Sequence, residues 1–149
     1  NSIHYKEENM GFKVTIEAKE SINLGLETVS SVRFLTQTPN DSNARSTDLG
    51  MGVEIVGKIR ANIAGVADET VKIAQWALVP AEDVKCYGQV TVDVLSGNKE
   101  VRQIIMDTVY VAGYKETFAD ETGVGTFVLT LKQKKDKNNT VQYQGGFAY

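Results

Sequence analysis

The sequence predicts a mainly β domain, an antiparallel barrel or sandwich with one flanking α-helix. Three observations predict it. Short segments alternate apolar and polar residues at period two, as in "FKVTIEA", "GQVTVDVLSG" and "TFVLTLKQK". Turn-rich stretches separate them. One segment alone, "DETVKIAQWAL", carries helical spacing.

Residues 1 to 11 are polar and read as a loose arm ahead of a single domain spanning 1–149. In the first strand Phe12, Val14, Ile16 and Ala18 alternate with Lys13, Thr15 and Glu17. A second is centred on Val29 to Leu35, after a break at Gly25. Thr38 to Gly50, "TPNDSNARSTDLG", reads as a loop longer than most connections in compact domains, and such loops are often functional. "MGVEIVGKIRANIA" follows as a strand with Val53, Ile55, Gly57 and Ile59 on one face; Gly57 inside it suggests a bulge or a close backbone approach.

Asp68 is placed to cap a helix over Glu69 to Leu78, and Pro80 disfavours helix at Val79. Val71, Ala74 and Leu78 form its apolar stripe, with Ile73 and Ala77 beside them. Trp76 lies off that stripe. It is either core filler or a hydrophobic anchor on the outer face. "EDVKCY" allows a further helical turn. After it, Val90, Val92 and Val94 define a strand, "SGNK" turns, and "EVRQIIMDTVYVAGYKETF" runs on with Val101, Ile105, Val109 and Val111 in one parity. "DETGVG" turns again, Phe127, Leu129 and Leu131 mark the next strand, "KKDKNN" is a charged turn, and "TVQYQGGFAY" supplies the last strand.

Chemistry is sparse. His4 is the only histidine and sits in the arm, a poor place for a preorganised base. We expect His4→Ala to leave function intact. Cys86 is the only cysteine, so no disulfide forms within the chain; it reads as a small core residue beside Tyr87. One cysteine and one distant histidine do not make a zinc site. "NDSNARSTD" and "DETGVGTF" lack the spacing of a calcium loop and read as turns. "GVGTF" lacks the Gly-Lys-Ser/Thr of a phosphate loop. Asp120 and Glu121 are adjacent, so on a strand they would point to opposite faces. The expectation is no enzyme, no cofactor and no metal.

Net charge is −3, which gives no basic surface for nucleic acid and no attraction to anionic lipid. "KQKKDK" is short and reads as a solvated hairpin tip. No run approaches the roughly 20 apolar residues of a membrane helix. The first residues lack the basic-then-apolar order of a signal peptide, so synthesis in the cytoplasm without a secretory leader is expected.

The order of these segments resembles the haemolysin-coregulated protein and tail-tube family, the inner tubes of type VI secretion systems, phage tails, phage-derived bacteriocins and extracellular contractile injection particles. The resemblance runs from Phe12 to Phe147. It rests on the early hairpin, the polar loop, "MGVEIVGKI", the one helix, the strands from "GQVTVDVLSG" to "GTFVLTLKQK", and the ending "NNTVQYQGGF". It implies a tail-tube-like barrel, six-fold homo-oligomeric rings stacked into a hollow tube, sheath and baseplate or spike proteins as partners, effector cargo in the lumen, and release from the cell within the particle. It implies ring-stacking contacts from Asn40, Asp41, Ser42, Asn43, Ala44, Arg45, Ser46, Thr47, Asp48 and Leu49, chiefly Asp41, Arg45 and Asp48. Trp76, if outward, would touch the sheath. The alternative from a different class is a small-ligand-binding β-barrel without catalytic activity.

Overall fold

The computed structural model describes residues 9–38, 49–60 and 68–146. His4 and positions 40–48 of the long loop lie outside them. The elements run β1 (Met10–Glu17), β2 (Ser21–Leu24), β3 (Val29–Gln37), β4 (Gly50–Arg60), α1 (Thr70–Ala77), β5 (Gly88–Ser96), β6 (Lys99–Thr117), β7 (Val124–Gln133) and β8 (Gln142–Gly145). Met10 and Gly11 already pair with Ser96 and Leu95, so β1 begins inside the stretch read as an arm.

All pairings are antiparallel, in the order β2-β1-β5-β6-β7-β4-β3, with β8 added to β6. The path bends back on itself, because β1 also lies against β3. One apolar face therefore closes over Val14, Ile16, Val53, Ile55, Val90, Val92, Phe127, Leu129 and Leu131, all buried. Burying each such side chain contributes about 1.5–3 kcal/mol, and this is the main force holding the sheet together. The alternation read in β1, β4, β5 and β7 matches this face.

Two glycine-linked turns set the hairpins. Gly97 (φ 62°) joins β5 to β6, and Gly123 (φ 66°) joins β6 to β7. Both lie in the left-handed region that glycine enters without steric cost.

β6 departs from the single parity expected of it. Its buried residues are Ile104, Met106 and Val109, while Ile105 is only half-buried. The register with β5 steps from Val90↔Met106 to Gly88↔Val109, so three residues of β6 face two of β5. A bulge of this kind exchanges inward and outward residues. Two further shifts do so again, one between Arg102 and Glu100 opposite Val94 and Leu95 and one between Val111 and Gly113 against β7. β2 is also an addition: Ile22 and Leu24 are buried core residues that alternate with exposed Ser21 and Asn23, on a strand of only four residues.

α1 begins one residue later and ends one residue earlier than expected. Asp68 Oδ1 accepts the backbone N–H of Thr70 at 3.0 Å and the Thr70 hydroxyl, so it does satisfy the first turn. Glu69 pairs with Lys72 Nζ at 2.7 Å and accepts from the Asn23 N–H at 3.3 Å. The buried stripe is Thr70, Ile73 and Trp76, not Val71, Ala74 and Leu78. Leu78 is 81% exposed and Val71 is 49% exposed.

Candidate functional site

The described residues contain no group of three or more His, Cys, Asp or Glu side chains that could hold a metal. Cys86 is buried, and its thiol donates to Ala81 O at 3.6 Å. Asp120 and Glu121 are exposed in the β6–β7 turn. The carboxyls of Asp93 and Glu100 meet near the β5–β6 turn, and their hydrogen bond raises the Glu100 pKa. Asp93 Oδ1 also accepts from Gln103 Nε2 at 2.9 Å, which anchors it to the strand opposite. Among the described residues no helix is long and apolar enough to cross a membrane.

Trp76 is the one outward-contact candidate that the structure describes, and it is core: only 3% exposed. Its indole N–H donates to Cys86 O at 2.9 Å. Gly88 lies beneath the ring, where an added Cβ would come within 3.2 Å of Cζ2. The hydrogen bond answers the indole's only polar group, so burial costs nothing in unmet hydrogen bonding. A contact with another protein through Trp76 is therefore corrected to a role in packing α1 onto the sheet.

Two ends of the molecule carry more distinctive surface. At one end, β3 leads into the long loop and β4 leads out of it. Leu49 O, at the loop's return, accepts Asn138 Nδ2 at 2.6 Å. Asn138 belongs to a 3-10 turn, Lys135–Thr140, that follows β7. Between these segments lies a cavity of about 430 Å³, lined by Leu35, Met51, Val53, Tyr110 and Leu131, with Lys132 and Lys135 at its polar side. Gly52 lets β4 and β7 close tightly beside it, since a Cβ there would sit 2.7 Å from Leu131 O. Lys134 and Lys137 add positive charge close by. Lys134 is 3.6 Å from Asp136 and sits 5.6 Å from the Tyr87 ring centroid.

At the other end is the β6–β7 turn. Phe118 is 66% exposed and lies over Gly125, which has no side chain to displace it. Glu116, Asp120 and Glu121 surround it in sequence, and all are exposed. The sheet path itself ends in β2 and β3. Strands at the end of a path leave main-chain donors and acceptors for another chain unless something covers them.

No family model matches the chain, and no curated protein matches it. Solved structures do. A chain in the six-fold symmetrised cryo-EM structure of the anti-feeding prophage (AFP) baseplate matches with a TM-score of 0.51 at 11% identity, covering 97% of each chain. Hcp1 from Salmonella typhimurium matches with a TM-score of 0.51 at 9% identity, covering 81% of each. A chain in the sheath–tube complex of the extracellular contractile injection system PVC, in its extended state, gives 0.50 at 13% identity, covering 96% of this chain and 94% of that one. The chain has a tail-tube/Hcp-like fold. That fold accounts for the order of the strands and of the α-helix among the described residues, and at these identities it is the fold alone that is shared.

Proposed function

We propose that this chain is a structural subunit of the inner tube of a contractile injection machine, acting through self-assembly and not through catalysis. The observation that carries this reading is the near full-length match of this chain, an antiparallel sheet with an α-helix among its described residues, to chains from AFP and PVC particles. Further support comes from the two strand ends of the sheet path.

In this reading the sheet closes into a barrel, six copies form a ring, and rings stack into a hollow tube. Strand edges pair between neighbours, giving directional main-chain bonds. Head-to-tail contacts that close make the ring, and the two ring faces make the stack. The loop from Asn40 to Leu49 reaches the adjacent ring, with Asp41, Arg45 and Asp48 as its principal contacts. Polar residues that alternate with the core, such as Thr91, Asp93 and Thr130, suit a lumen through which cargo slides. Sheath and baseplate proteins are the outer partners, and the particle carries the subunit out of the cell.

The cavity of about 430 Å³ favours one second reading, a barrel that holds a small apolar ligand. Light scattering followed by negative-stain imaging of the same peak separates the two. Six-fold rings or tubes are expected. A monomer at every concentration, combined with capture of an apolar ligand, would favour the second reading.

A further inference from the structure

We infer that the β6–β7 turn of one subunit docks into the Lys132–Lys135 cavity of a second copy of this chain, with Phe118 as the anchor. This rests on the tube reading and names the contact that would stack one ring on the next.

The two surfaces are complementary. The turn offers one exposed aromatic ring flanked by Asp120 and Glu121. The cavity offers an apolar floor of Leu35, Met51, Val53 and Leu131, with Lys132 and Lys135 beside it. Aromatic residues seated in a desolvated pocket carry most of the energy of an interface, and surrounding charge pairs set register and orientation.

The two surfaces cannot meet within one chain. They lie at opposite ends of β7, whose ten residues span about 33 Å at roughly 3.3 Å per residue. β7 is paired along its whole length, to β4 from Val124 to Lys132 and to β6 from Thr126 to Gln133, so it cannot fold back. The occupant is therefore another copy. Because the donor and acceptor ends differ, the contact is head-to-tail, and repeating it along the strand direction extends a stack without limit.

The test uses the full chain. Two singly substituted proteins, Phe118→Cys and Met51→Cys, are mixed and oxidised while the unsubstituted chain is imaged for rings and tubes. Cys86 is buried and stays in place. We expect a disulfide joining positions 118 and 51 of different copies. We expect Phe118→Ser, with an unchanged circular dichroism spectrum, to keep rings and to raise the concentration needed for stacking at least about tenfold. Reversing Lys132 and Lys135 to Glu should do the same, and adding Asp120→Lys and Glu121→Lys to that chain should restore stacking. Normal stacking by Phe118→Ser without the 118–51 disulfide overturns this inference and leaves the tube reading standing. Neither rings nor tubes from the unsubstituted chain, with no disulfide, overturns both. A small apolar compound that fills the cavity while copies stay apart overturns the docking as well.

Discussion

The side-chain carbonyl of Gln133 accepts the backbone N–H of Thr108 at 3.2 Å. Thr108 lies in the bulge of β6, where the ladder to β5 skips a residue and leaves main-chain groups without a cross-strand partner. Gln133 is 2% exposed, and its Nε2 donates to Lys137 O at 2.9 Å. One buried amide thus ties the bulge to the 3-10 turn that walls the lysine-rich cavity. Lys134 N–H completes the link by donating to Thr108 O at 2.8 Å.

Gln133→Leu should destabilise the fold by about 1–3 kcal/mol, the cost of leaving the Thr108 N–H buried without a partner. The Lys137 carbonyl keeps the Thr140 hydroxyl, which donates to it at 2.7 Å. Urea denaturation at one fixed protein concentration measures the loss as a lower midpoint with an unchanged slope. A change below about 0.5 kcal/mol, the range of an ordinary surface substitution, would mean that water replaces the amide.

Trp76 and Leu78 give opposite expectations from the same helix. Trp76→Phe leaves Cys86 O without its donor and should cost about 1–3 kcal/mol. Leu78→Ser removes an outward side chain and should stay within about 0.5 kcal/mol in the unassembled chain. Thermal unfolding of the two variants decides which face is core. A larger loss from Leu78→Ser would reverse the assignment.

That assignment marks the limit of what was legible in the sequence. In β1, β5 and β7 one face is buried along the strand, so period-two alternation reports it directly. In α1, two apolar stripes compete on an eight-residue helix: Ile73 with Trp76, and Val71 with Leu78. Only the strands packed beneath decide between them. In β6 the register shifts three times, twice within "IIMDTVYVAG", and no local signal there announces the changes of parity. The cavity was illegible for another reason. Its floor comes from β3, β4 and β7, far apart in the chain, and "KQKKDK" reads as solvated turn although it begins one residue before the buried Gln133. Burial at one position and charge at its neighbours are what a strand end next to a cavity produces.

Gly57 is where a single methyl should do the most damage. A Cβ there would come within 2.5 Å of the Phe127 ring and 2.6 Å of Thr28 O. It sits opposite the register shift between Val29 and Ser31, so β3, β4 and β7 converge on it. Gly57→Ala forces backbone or ring to move and should cost about 1–3 kcal/mol, the usual penalty of overpacking. Gly113→Ala is the control, since the nearest atom would be 4.0 Å away. Equal melting temperatures for the two variants would show that the strands part easily at Gly57.

Tyr114 should make the fold sensitive to alkali. Burial pushes its phenol above the ordinary tyrosine range. The hydrogen bond it donates to Glu116 Oε1 at 2.5 Å acts in the same direction, as does the nearby charge of Asp68. A raised pKa in the folded state means that the folded chain holds the proton more tightly than the unfolded chain. The stabilisation is fully present below the unfolded pKa of about 10, and it is lost as pH rises toward the folded value. Melting temperatures of the parent and of Tyr114→Phe, measured from about pH 9 upward, should therefore diverge beyond pH 10 or so, with the parent falling faster. Lysines titrate in the same range, so the difference between the two curves isolates the phenol. Parallel curves would mean that the ring reaches solvent and ionises without opposing the fold.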